Sequence, residues 1–209
     1  MDTRRAIGLA VVGFLSCAVA STTHEPVVGL PCEGCEAVFE GRPEHPPSIA
    51  RIAPEGEPGE RLTIEGTVTD AAGKPAPGIV VYAYHTNAKG IYPPDEKAPG
   101  PWSRRHGLLR GWATTDAQGR YRFETIRPAS YPNTSNPQHV HMHVLEPGRC
   151  TYTIDELHFD DDPLLTAEER GRAPGRGGKG IVMVTGDAAH GWNVRRDIKL
   201  GERVPGYPS

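Results

Sequence analysis

The chain has 209 residues, 25 glycines, 21 prolines and a formal net charge of −3. That length suffices for one domain with a real core, and this much glycine and proline disfavours a helix bundle and suits short strands joined by loops. Charges of both signs are mixed along the chain, with no basic stripe to neutralise phosphates, so no nucleic-acid partner is expected.

The N-terminal "MDTRRAIGLAVVGFLSCAVAS" reads as a targeting segment. Arg4 and Arg5 precede an apolar run from Ala6 to Ala20, and Ala18 and Ala20 give the small-x-small pattern of a signal-peptidase site, with cleavage after Ala20. The run is too short for a comfortable membrane span. An exported protein, periplasmic or extracellular, with no stable span after processing is therefore expected. Lipoprotein processing at Cys17 is the second reading, ranked lower because Phe14 stands where a lipobox usually has leucine.

Residues 21–58 look like an extended arm, rich in proline and charge and without a period of 3.6 or 2. The arm carries Cys32 and Cys35 in "PCEGCE". No second C-x-x-C completes a zinc site and no thioredoxin-like pattern surrounds the pair, so a short-loop disulfide is expected in an oxidising compartment. Cys150 is then either free and buried or bridged back to one of the pair.

Residues 59–209 form the expected domain. "RLTIEGTVTD" alternates as a half-buried strand, "AAGKPAPG" turns, and "IVVYAYHT" is a second strand. "HGLLRGWATTD" and "RYRFETI" read as a hairpin around a turn at Asp116–Gly119. "QHVHMHVLE", "YTIDELHF", "KGIVMVTG" and "WNVRRDIKL" supply further strands, and "DPLLTAEERGR" is the one expected helix. Short strands with frequent turns indicate an all-β fold, an antiparallel β-sandwich with long active-site loops.

The segment "NPQHVHMHV" sets His139, His141 and His143 on one face of a strand, because side chains alternate. Unpaired imidazoles on a buried face are costly unless used, which points to a metal. Three successive positions span too far along a strand for all to reach one ion comfortably; two suffice. Tyr92 in "NAKGIYPP" and Tyr131 in "RPASYPN" each follow a turn that can aim a phenol at the sheet end. Phenolate oxygens with imidazoles suit ferric iron, whose charge lowers the phenol pKa from about 10.

From about Leu62 to Leu165 the chain resembles the intradiol ring-cleavage dioxygenases. The resemblance rests on "GTVTDAAGKPAPGIVVYAYHTNAKGIY", "TTDAQGRYRFETIRPASYP", "NPQHVHMHV" and "ELHFDDDPLL", in that order and spacing. It implies an Fe(III) cofactor held by Tyr92, Tyr131, His139 and His141, with His143 left to support of the ligands or to packing. It also implies a catechol substrate chelated by the iron and opened with dioxygen to a cis,cis-muconate-type dicarboxylate, Tyr131 leaving the metal to help deprotonate the diol. Two departures stand out. Asn136 occupies the place of the family's usual arginine and is expected, with Tyr131, as a catalytic residue that donates a hydrogen bond to a developing ring oxyanion without a full charge; Glu156 occupies the place of a glutamine. Arg104, Arg105, Arg110 and Arg127 are the candidates to replace the cation. The chain also lacks the helical dimerisation region of the cytosolic catechol branch, and the sequence leaves monomer and homo-oligomer open. Two rivals remain: a non-catalytic transthyretin-like or carboxypeptidase-regulatory-like module, and a zinc or copper enzyme using His139, His141 and His143 together.

Overall fold

The computed structural model describes residues 24–32 and 34–209; the expected signal segment and the Cys17 alternative lie outside them. The arm comes first in chain order. A 3₁₀ turn at Cys35–Val38 is followed by a short strand, β1 (Ile49–Arg51). Then come β2 (Arg61–Thr69), β3 (Val80–Tyr84), a helix α1 (Pro101–His106), β4 (Arg110–Thr114), β5 (Arg120–Ile126), β6 (His139–Glu146), β7 (Cys150–Thr153) and β8 (Leu157–Phe159). Helix α2 (Ala167–Arg172), β9 (Ile181–Val182), β10 (Val184–Asp187), β11 (Gly191–Arg195) and β12 (Ile198–Lys199) complete the order.

The strands form two sheets. One runs β1-β5-β2-β11-β10 with β12 also on β2; the other runs β4-β3-β6-β8-β9 with β7 also on β6. Alternation fills the space between them: Leu62, Ile64 and Val68 of β2 and Phe123 of β5 meet Val81 and Ala83 of β3 and Val140, Met142 and Val144 of β6. Each fully buried Val, Leu, Ile, Phe or Met among them contributes roughly 1.5–3 kcal/mol. The second sheet is buried on its outer face too, where Ala37 and Val38 of the arm cover Val80, Tyr82, Tyr84 and Leu145. That double burial explains why β3 reads as an unbroken apolar run rather than an alternating one.

The sandwich is mixed, not purely antiparallel. The pairs β2–β5, β3–β4, β3–β6 and β6–β7 are antiparallel, whereas β1–β5, β2–β11, β2–β12 and β8–β9 are parallel. The parallel pairs join segments far apart in sequence, which need no hairpin between them. The turn at Asp116–Gly119 is present, with Asp116 Oδ1 accepting from the N–H groups of Gln118 and Arg120. It does not close a hairpin, because β4 pairs with β3 in one sheet and β5 with β2 in the other. The expected helix appears as α2, and α1 is an addition at "PWSRRH", its first turn held by Glu40, whose carboxylate accepts from Ser103 N–H at 2.6 Å. Cys32 and Cys35 are joined in a disulfide, and Cys150 is free and buried. Arg196 is fully buried, its guanidinium donating to the carbonyls of Gly177, Arg176 and Asp197 and so stitching the C-terminal strands to the 176–178 loop. No described helix is long and apolar enough to cross a membrane.

Candidate metal centre

Because Val140, Met142 and Val144 turn inward, His139, His141 and His143 all lie on the outer face of β6. Register aligns Tyr84 with His141 and Tyr82 with His143. The Tyr84 ring stacks on His141 with centroids 4.4 Å apart and on His106 of α1 at 3.5 Å. Beyond the end of β3 the chain turns at Asn87, whose side-chain oxygen accepts from Lys89 N–H and Ile91 N–H and so sets the approach to Tyr92. Gly90, at φ 74°, presses this loop onto the loop of Tyr131: a Cβ there would lie 2.0 Å from the Ser130 carbonyl oxygen. Only glycine allows the two tyrosine loops to touch.

Four donor atoms converge as a result. Tyr92 Oη lies 2.6 Å from Tyr131 Oη and 2.9 Å from His141 Nε2. Tyr131 Oη lies 3.0 Å from His139 Nε2 and 3.3 Å from His141 Nε2, and the two imidazole nitrogens are 3.2 Å apart. The tautomers are fixed from behind. His139 Nδ1–H donates to the Pro137 carbonyl at 2.7 Å, and His141 Nδ1–H to the Glu156 carboxylate at 2.9 Å. Both Nε2 atoms therefore present lone pairs to the centre. The four atoms bring only the two phenol protons to five contacts, an imbalance that a cation among them removes. Contacts of this length also suit ligands each about 2.0–2.2 Å from one ion. The donor set, two phenols and two imidazoles, fits a hard, highly charged ion such as Fe(III).

The electrostatics agree. Burial, with the hydrogen bond to Tyr131, holds the Tyr92 phenol well above its ordinary pKa, and burial raises that of Tyr131. Burial also lowers His139, keeping it neutral and able to ligate. Burial alone would raise Glu156, but its hydrogen bonds with His141 and His158 outweigh it and hold the carboxyl well below the usual range. The site thus has a fixed anion behind His141.

A cavity of about 350 Å³ opens beside these donors, lined by Tyr84, Tyr92, Arg105, His106, Tyr131 and His141. A single aromatic ring fits such a volume. A larger cavity of about 470 Å³ against the other sheet, near Arg51, Arg61 and Trp192, has no comparable convergence of donors.

A dioxygenase family model matches residues 37–173, which is most of the chain. The chain belongs to the intradiol ring-cleavage dioxygenase family. Among its intradiol relatives, the protocatechuate 3,4-dioxygenase beta chain of Burkholderia cepacia is 35% identical over 116 residues, 53% of this chain and 49% of that protein. Catechol 1,2-dioxygenase of Candida albicans is 33% identical over 135 residues, 51% of this chain and 43% of that protein. The chain spans about half the length of the curated relatives it matches. In structure it is similar to the dioxygenase domain of a dioxygenase–carbohydrate-binding fusion from Streptomyces sp. SirexAA-E, with TM-score 0.57, 25% identity, and 77% of this chain and 92% of that one covered. The intradiol ring-cleavage dioxygenase of Tetranychus urticae shares the fold, with TM-score 0.56, 22% identity, and 85% and 94% covered.

The intradiol site expected from sequence is distributed as follows. Tyr92, Tyr131, His139 and His141 come together. His143 stands apart, two residues along β6, so the three-histidine set of the zinc or copper rival is not assembled; the cluster around His139 and His141 takes Glu156 as its third member. Asn136 is exposed, its N–H donating to Thr134 Oγ1, and it is absent from the cavity lining. Arg110 is engaged by Asp95 at 2.7 Å, and Arg127 by Asp161 and Gln138. Arg105 alone of the four candidate arginines lines the cavity. Tyr84 and His106 are further wall residues that sequence reasoning missed. The signal for Tyr84 was its alternation with Tyr82 in "VVYAY", opposite the histidine strand.

Proposed function

We propose that this protein is a non-haem ferric intradiol dioxygenase that opens catechol-type diols with dioxygen to cis,cis-muconate-type dicarboxylates. Tyr92, Tyr131, His139 and His141 hold the iron in this reading. The observation that carries it is the convergence of two phenol oxygens and two imidazole nitrogens that share five short contacts and only two protons. Bound Fe(III) supplies the Lewis acidity that makes phenolates of the tyrosines and draws charge from a bound catecholate.

The residues of the chain do the rest. Tyr131 takes a proton from the incoming diol at its Oη. Its loop continues into Pro132–Asn136, which are exposed to solvent. Tyr92 stays, since Asn87 and Gly90 fix its loop. Glu156 and the Pro137 carbonyl hold the two imidazoles with Nε2 forward. Tyr84 and His106 form an aromatic wall that orients the ring and excludes water. Arg105 brings a positive charge to the cavity in place of the cation lost at position 136. The Cys32–Cys35 disulfide supports residence in an oxidising compartment and hence export.

The test is protein expressed with iron, assayed for metal content and visible spectrum, then supplied with catechol, protocatechuate and hydroxyquinol under labelled dioxygen. A red-brown tyrosinate–iron band and a dicarboxylate carrying both labelled atoms are expected. Yellow semialdehyde products would reject the chemistry, and iron-free, colourless protein would favour a non-catalytic module.

A further inference from the structure

His143 is the histidine for which the proposed iron site has no use. It is 2% exposed, its ring lies parallel to Tyr82 with centroids 5.7 Å apart, and its Nδ1 has no hydrogen-bond partner. An imidazole buried with an unpaired nitrogen is an unusual cost. What it faces comes from the arm. One of its ring nitrogens and the sulfurs of Cys32 and Cys35 all lie within 4.8 Å of one another.

The placement of these sulfurs is tightly determined. Ala37 and Val38 are fully buried against the outer face of the second sheet. Gly34, at φ 76°, lies against His106, where a Cβ would come 2.5 Å from the ring Nε2. No other residue at position 34 lets the C-x-x-C loop settle so close to the sheet. Cys35 is buried, while Cys32 is partly exposed and gives a route from solvent.

We propose that Cys32, Cys35 and His143 form a second metal site, closed while the disulfide is intact and opened by its two-electron reduction, which binds a thiophilic ion such as Zn(II). Two thiolates and an imidazole are the donor set of many zinc sites. A ring nitrogen of His143 already lies within 4.8 Å of both bonded sulfurs, and breaking their bond lets them part to the roughly 3.5–3.8 Å that separates ligands about 2.0–2.3 Å from a tetrahedral ion. The fourth position is left to water. Softness separates the two centres, because thiolates select thiophilic ions while the phenol–imidazole set selects a hard one. The chemistry balances. A phosphine reductant breaks the S–S bond and takes the oxygen of one water as its oxide, and the two hydrogens of that water end on the sulfurs. Binding of a divalent ion then releases two protons. The proposal does not depend on the iron reading, since it uses none of the four residues assigned to iron.

The experiment uses the full chain with Cys17→Ser and Cys150→Ser, so that Cys32 and Cys35 are the sole thiols. Reduced and oxidised samples are titrated with Cd(II) and read by the ultraviolet thiolate–cadmium band. The reduced protein should take one equivalent through this band and the oxidised protein should show none. Cys32→Ser should abolish the two-thiolate band, and His143→Gln should weaken binding at least about tenfold. Should His143→Gln fail to fold, X-ray absorption on the reduced, zinc-loaded parent decides, with two sulfurs near 2.3 Å and one imidazole nitrogen near 2.0 Å expected. No thiolate band after reduction, unchanged affinity in folded His143→Gln, or two sulfurs without imidazole would each overturn the proposal.

Discussion

Glu156 is the sharpest handle on the metal centre. Its carboxylate accepts from His141 Nδ1 at 2.9 Å and lies 3.5 Å from His158 Nε2. Glu156→Gln keeps an oxygen able to accept that bond and removes only the charge. A hydrogen bond to a charged group contributes about 1.5–3 kcal/mol against about 0.5–1.5 for a neutral one, a difference near 1–1.5. The Glu156 side chain is 40% exposed, so solvent screening moves the expectation to the lower end, about 1 kcal/mol, or roughly fivefold in ferric affinity. Glu156→Ala removes the acceptor as well and should cost about 10–100-fold, the usual range for residues that orient a ligating histidine. Losing the anion should also make the iron more electron-poor, moving the charge-transfer band to longer wavelength and raising the ferric–ferrous potential. Chelator competition and a visible spectrum of the three proteins measure all of this. Equal affinities across the three, or a glutamine variant as weak as the alanine one, would refute the positioning role.

Three other outcomes are expected. Tyr92→Phe and His141→Ala should each abolish or strongly shift the visible band, whereas His143→Ala should leave most iron bound; complete iron loss in His143→Ala would break the assignment of the pair. Burial pushes His85 down to about 4 and His106 to about 3, so both are neutral in the folded chain and charged in the unfolded one below about 6.5. Stability should thus be full above pH 6.5 and fall as pH drops toward 4, by about 2 kcal/mol per histidine at pH 5; urea unfolding at pH 7 and 5 checks this, and equal midpoints would contradict it. Arg196→Ala should cost about 3 kcal/mol or more in thermal or denaturant unfolding, because each buried carbonyl it leaves unpaired costs about 1–3 kcal/mol, and a loss under 1 kcal/mol would show that water replaces the guanidinium.

Much of the site was legible because its donors sit where local rules apply. Alternation alone put three histidines on one face, and the turns before Tyr92 and Tyr131 announced loops. What escaped depends on pairing between distant segments. The Asp116–Gly119 turn signals a chain reversal, but nothing local says that its two strands enter different sheets. Helix α1 is under two turns long and shows no period; Glu40, far back in the arm, holds its first turn. β1 is three residues long, too short for its alternation to be legible in the sequence. The wall of Tyr84 and His106 exists only once β3 and β6 are in register and α1 is laid across them.

The parallel seating of the arm bears on how the molecule is made. Val27 bridges to Thr151, and Ile49 meets Arg122. The residues that leave the ribosome early have their strand partners near the middle of the chain or beyond, so these pairings cannot form until β5 and β7 have emerged. The tie between Cys32 and Cys35 spans a separation of three and needs no other part of the chain. The outer face bearing Val80, Tyr82 and Leu145 therefore stays bare until the arm swings over it as a strap. Shortening the chain at residue 58 would remove the strap altogether and turn a buried face into an adhesive one.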